Sequence, residues 1–205
     1  MRRIIIAAAI VMVLAVQSWA GVGPGTIETS LGGSFHLSPE PWELNANMYL
    51  VYYLSPMLGF GPFWEVQKMG DMDMDAVSGT GEPITVTVKS SWHYRVGLFG
   101  KMYLPVTMAD GKFMPYVAGG FGVVSLPKPP AEWADALEEE TENKMGYFGE
   151  FSFDYWMTDS WTLWAGIRGF KVSADEDTYF DMAGRDLSEF QTQILVGVSH
   201  FLMMD

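Results

Sequence analysis

The feature that most constrains this chain is an alternation of apolar and polar residues that recurs in eight segments. It is clearest in ITVTVKSSWHYRVGLFGK, residues 84–101. There Ile84, Val86, Val88, Trp92, Tyr94, Val96 and Leu98 alternate with Thr85, Thr87, Lys89, Ser91, His93, Arg95 and Lys101. Successive side chains of a strand point to opposite faces, so a period of two predicts strands with two unlike faces. The other runs are 27–37, 42–53, 57–68, 113–124, 146–157, 161–172 and 189–202. Along their second faces lie Glu28, Ser30, Ser34 and His36, then Asn45, Asn47 and Tyr49, then Glu65 and Gln67. Further along come the small residues Ala118, Gly120 and Gly122, followed by Glu150, Ser152 and Asp154, Thr162 and Arg168, and Glu189, Gln191, Gln193 and Ser199.

The links between runs sort by length. Those after the second and sixth runs are tight (Ser55-Pro56 and Thr158-Asp159-Ser160), and the one after the fourth, 103–111, is modest. Those after the third, fifth and seventh are long and acidic: MGDMDMDAVSGTGE, SLPKPPAEWADALEEETENK and SADEDTYFDMAGRDLS. Only SPEP, after the first, departs from this rule. Short and long links therefore fall at opposite ends of an up-and-down meander, as in an outer-membrane barrel with a tight periplasmic rim and projecting outer loops.

Which face meets water decides the class. A soluble lipocalin-like barrel would bury the apolar face. Against that reading, the polar faces place both signs of charge at mid-strand, with Lys89, Arg95 and Arg168 against Glu65, Glu150 and Glu189. The apolar faces carry Trp42, Tyr52, Trp64, Trp92, Tyr94, Tyr155 and Trp161 near run ends, as interfacial girdles do. The expected fold is all-β: an eight-stranded antiparallel up-and-down transmembrane β-barrel with its apolar face in lipid. Hydrocarbon leaves no unpaired backbone group satisfied, so the eighth strand must pair with the first. Strands of about 9 to 11 residues cross a bilayer, so the long fourth run is expected to extend beyond it. Parity predicts that Glu150 and Arg168, both on the inner face, lie directly opposite or one diagonal step apart, as an internal ion pair.

Residues 1–20, MRRIIIAAAIVMVLAVQSWA, combine two arginines, an apolar run from Ile4 to Val16, and small Ser18 and Ala20. This is the pattern of a secretory signal peptide cut after Ala20, leaving 21–205 as one barrel domain. The apolar run is shorter than the roughly 20 residues of a spanning helix. Twenty-five acids against twelve Lys and Arg give a formal net charge of −13, which argues against nucleic acid as a partner. With no cysteine there are neither disulfides nor thiolate metal sites.

Three stretches resemble the eight-stranded outer-membrane β-barrels of Gram-negative bacteria, the OmpA/OmpX-type family. They are PYVAGGFGV (115–123), the strand-turn-strand unit DYWMTDSWTL (154–163), and the terminal GVSHFL (197–202). The resemblance implies a cell outer-membrane location, contact with outer-membrane lipids and lipopolysaccharide, and folding by the barrel-assembly machinery, which reads the last strand. In that strand His200 and Leu202 stand where aromatics are usual, and Phe201 is the aromatic expected to serve instead.

Candidate sites are few. Asp71, Asp73, Asp75 and Glu82 occupy positions one, three, five and twelve of a calcium-loop pattern, but Ala76 stands where the turn needs Gly, so a solvated acidic loop is expected. His36, His93 and His200 invite an enzyme reading, such as lipid A modification. However, Ser199 and His200 point to opposite faces, and Ser91 and His93 have no evident orienting acid. No catalytic, cofactor-binding or metal residues are therefore assigned. Segment 130–142, PAEWADALEEETE, is compatible with a short helix or an acidic loop that meets an extracellular ligand. The expected function is that of a monomeric outer-membrane protein with a structural or adhesion-like role and a lumen plugged by polar side chains. The alternative is a narrow channel for small or hydrophobic solutes.

Overall fold

The computed structural model describes residues 22–37, 42–69, 72–77, 83–88, 91–106, 108–109, 111–125, 143–173 and 191–203; at 42–44, 69, 72–77, 83–88 and 91 it describes the backbone alone. The strands are β1 (Ile27–His36), β2 (Trp42–Tyr53), β3 (Leu58–Met69), β4 (Met72–Val77) and β5 (Pro83–Val88), followed by β6 (Ser91–Tyr103), β7 (Phe113–Ser125), β8 (Asn143–Trp156), β9 (Trp161–Val172) and β10 (Gln191–Leu202). Eight of them close an antiparallel barrel in the order β1-β10-β9-β8-β7-β6-β3-β2, while β4 and β5 pair only with each other. The closing ladder runs from Ile27↔Leu202 to His36↔Gln193, so the wall has no free edge.

The tight turns share one construction. At 54–57 the Ser55 hydroxyl accepts from the backbone N–H groups of Met57 and Leu58, and at 157–160 the Thr158 hydroxyl accepts from those of Ser160 and Trp161. A hydroxyl that satisfies the turn's own donors is why Ser and Thr stand here. The third link at this end bends through Ala109 and Gly111, both at positive φ (54° and 85°).

Parity holds around the barrel. Leu31, Phe35, Met48, Leu50, Phe60, Val66, Leu98, Phe121, Phe151 and Ile167 are exposed on the outside, whereas Glu28, Asn45, Glu65, Arg95, Glu150 and Arg168 are buried within. Of the aromatics expected near run ends, Tyr52, Trp64, Trp92, Tyr94, Tyr155 and Trp161 face outward and are exposed, while the side chain of Trp42 lies outside the described residues.

One expectation is corrected. The fourth run is not one strand: 83–88 belongs to β5 and 91–103 to β6, so Thr87 lies on the β4–β5 hairpin and not on the lumen wall. Phe201 lies on the inner parity of β10, 2% exposed, while half-buried His200 and exposed Leu202 stand on the outer face. Lys89, Glu189 and residues 1–20 lie outside the described residues.

Candidate functional site: the lumen

An eight-stranded barrel has an interior just wide enough for side chains, so whatever chemistry it holds must be built from the inward parity of each strand. That parity assembles two ion networks. Arg168 on β9 stands directly opposite Glu150 on β8 and donates to its Oε2 from Nη2 at 2.8 Å and from Nε at 3.2 Å. The same guanidinium donates across the lumen to Glu65 of β3 and to the Tyr49 hydroxyl of β2. Arg95 of β6, opposite Glu65, donates to Glu65 Oε2 at 3.3 Å and to Gln67 Oε1 at 3.1 Å. Tyr116 and Ser152 donate to Glu150 Oε1 at 3.1 and 2.7 Å. Each guanidinium also covers an aromatic face, Arg95 that of Phe170 (3.6 Å to the ring centroid) and Arg168 that of Phe148 (4.2 Å), which replaces part of the lost hydration.

The second network lies nearer the short-turn end. Lys101 Nζ donates to both carboxylate oxygens of Glu28 at 3.0 Å and to Asp154 Oδ2 at 2.8 Å. Tyr53 and Ser30 donate to Glu28 at 2.6 and 2.7 Å, and Tyr103 donates to Asp154. The ammonium stands 4.1 Å from the Tyr116 ring centroid. A buried lysine between two carboxylates is tolerable only with this many partners, because an unpaired charge taken from water costs several kcal/mol.

Below that network an aromatic layer crosses the barrel. The rings of Trp156 and Phe201 are 4.6 Å apart, Tyr53 stacks on Tyr103 at 6.1 Å, and the Trp156 indole N–H donates to Met114 Sδ at 3.2 Å. Between the two networks a cavity of about 10 Å³ remains, bordered by Glu28, Ser30, Tyr49, Lys101, Glu150 and Trp164. That is about the room one water molecule needs.

The pairing of Glu150 with Arg168 is the one expected from parity. The contact with Glu65 and the Lys101 network were not anticipated, although parity had set Glu28, Lys101 and Asp154 on inner faces. His93 Nδ1 lies 3.2 Å from the Ser125 carbonyl oxygen. Ser199 is buried with its hydroxyl 2.6 Å from that of Ser30, while the His200 ring, on the other face, packs 4.4 Å from Trp161. Asp73 and Asp75 fall within β4, an extended backbone paired with β5, whereas Asp71, Glu82 and segment 130–142 lie outside the described residues. Among the described residues no three His, Asp or Glu side chains converge as metal ligands.

No protein-family model and no curated protein matches the chain. Solved structures do. OprG of Pseudomonas aeruginosa aligns with a TM-score of 0.58 at 10% identity, covering 91% of this chain and 100% of that one. The N-terminal β-barrel domain of Pseudomonas aeruginosa OprF aligns at 0.55 and 10% identity, covering 88% and 100%. Neisserial surface protein A aligns at 0.50 and 10%, covering 85% and 94%. Together with the closed antiparallel wall and its apolar exterior, these likenesses establish that the chain has the transmembrane β-barrel fold of the small outer-membrane proteins of the OmpA/OmpX type.

Proposed function

We propose that this chain is an integral outer-membrane protein whose barrel serves as a rigid, non-conducting scaffold, displaying the segments of its long-link end for structural or adhesive contact. The observation that supports this reading is the packing of side chains inside the barrel. Two ion networks and an aromatic layer lie one above another along its axis, and the space left between the networks is about 10 Å³. That is room for about one water molecule and not for an ion with its hydration shell. On this reading residues 1–20 are a signal peptide removed on export. Acyl chains and lipopolysaccharide surround the outer face, the assembly machinery engages β10, and the acidic segments 126–142 and 174–190 meet any extracellular ligand. The protein works as a monomer and carries out no catalysis.

Single-channel recording in planar bilayers tests the reading. Folded protein should insert without stepwise conductance. Reproducible steps would instead favour a narrow channel for small solutes. Deleting 128–142 should leave folding intact and abolish adhesion if that segment makes the contact.

A further inference from the structure

The two networks pair the charged side chains of the lumen, apart from Asp154 Oδ1, and a separate set of buried polar atoms is left over. Both amide atoms of Asn45 and of Asn47 and the hydroxyl of Ser34 have no hydrogen-bond partner among the described residues. Neither do Gln193 Oε1 and the indole N–H of Trp164. Asn45, Asn47, Ser34, Gln193 and Trp164 are all buried. Native proteins pair nearly all such groups, because an unmet one forfeits its hydration with no return.

These atoms are gathered in one place. Ser34 and Asn45 face each other in the β1–β2 ladder, and Asn47 is the next inward position along β2. Gln193 stands two residues before Leu195, the partner of Ser34 in the β1–β10 ladder. Trp164 bounds the group toward the short-turn end. Its ring edge and Asn47 Oδ1 lie 2.5 and 2.7 Å from the point a Cβ on Gly32 would occupy. Turning the two amides toward each other would satisfy at most one bond each way and strand the rest.

The chemistry narrows what fits. Donors and acceptors occur together and none of the side chains is charged. The neighbouring guanidiniums of Arg95 and Arg168 oppose a cation, and both are already engaged by Glu65, so neither is free to anchor an anion. The smallest uncharged ligand that both donates and accepts is water. We propose that Ser34, Asn45, Asn47, Gln193 and Trp164 form a buried hydration site that holds ordered water against the β1, β2, β9 and β10 wall. The inference rests on which residues line the lumen and not on whether the lumen conducts.

Water-to-amide cross-relaxation in the 15N-labelled barrel, folded in lipid bicelles, tests it. The side-chain NH2 groups of Asn45 and Asn47 should show cross-peaks to water with the sign of long-lived, bound molecules. Absence of those cross-peaks, or the sign of fast-exchanging bulk water, would overturn the proposal; bilayer conductance separately judges whether the lumen is open. A second arm uses Asn47→Leu. At a hydrated site this should weaken the bound-water cross-peak at Asn45 and lower the urea midpoint. A raised midpoint would mean that the polar atoms sat dry, which also overturns the proposal. If Asn47→Leu does not fold, the spectrum of the natural protein decides alone.

Discussion

Arg168 has no exposed surface, and its guanidinium is shared by Glu150, Glu65 and Tyr49. Removing it leaves two buried carboxylates short of a counter-charge, with Arg95 alone to serve Glu65. Breaking a buried pair in this way costs about 3–5 kcal/mol. Arg168→Met should therefore lower stability by that order in urea unfolding from lipid vesicles, and Arg168→Lys should recover only part, since a single ammonium cannot reproduce the fork. The glycines offer a sharper contrast. A Cβ on Gly61 would lie 1.8 Å from the Leu50 carbonyl oxygen, whereas one on Gly149 would meet nothing within 4 Å. Gly61→Ala should impair folding severely and Gly149→Ala should be close to neutral, as read from the folded fraction on refolding. Parity alone could pair Glu150 with Arg168, because they sit on consecutive strands joined by a short turn. It could not pair Arg168 with Glu65, which lies across the lumen and is reached only once the barrel has closed. The inward aromatics were also obscured. In the seventh run Trp164 and Phe170 are apolar on the inner parity because side chains must pack a narrow lumen, and Trp164 fits only because Gly32 and Gly197 leave room for its ring.

The β3–β6 pair shows how an element can mislead by periodicity. Its ladder runs from Leu58↔Met102 to Met69↔Ser91, and the β4–β5 ladder resumes at Met72↔Val88 and ends at Val77↔Pro83 in the same pairing register. One alternating pattern therefore passes through two ladders, and a change of sheet does not disturb a period of two. This is why residues 84–101 read as a single strand and why Thr87 was expected on the lumen wall. The barrel wall does not need the outer hairpin. Deleting residues 71–89 joins Gly70 to Ser90 between the last barrel pair, Met69 and Ser91, and Gly at the first central position suits a two-residue type II′ hairpin turn. The shortened protein should fold as well as the full chain, which the heat-dependent mobility shift of folded barrels in detergent gels would report. Loss of that shift would mean that β4 and β5 help to form the wall.

For the molecule as a whole, the decisive property is the inversion of its two faces, with an apolar exterior around an ionic interior. The inversion was readable in the sequence because charges at mid-strand and aromatics at run ends each point the same way. A depth profile along one strand tests it independently of any loop. Val96, on the outer face near the middle of β6, pairs with Trp64 and Val123, and Met102, on the same face, lies beside the strand's short-turn end. Arginine on the lipid face of such a barrel costs ~2–4 kcal/mol at the bilayer midplane and ~0–1 near the interfaces. Val96→Arg should therefore destabilise strongly and Met102→Arg only slightly, both measured by urea titration of protein folded into vesicles. Thinner bilayers bring the interface closer to Val96, so its penalty should shrink as acyl chains shorten, while that at Met102 changes little. A soluble barrel predicts instead that both substitutions are tolerated alike, because each would place a charge in water. Equal penalties at the two positions in vesicles would defeat the assignment of this face to lipid.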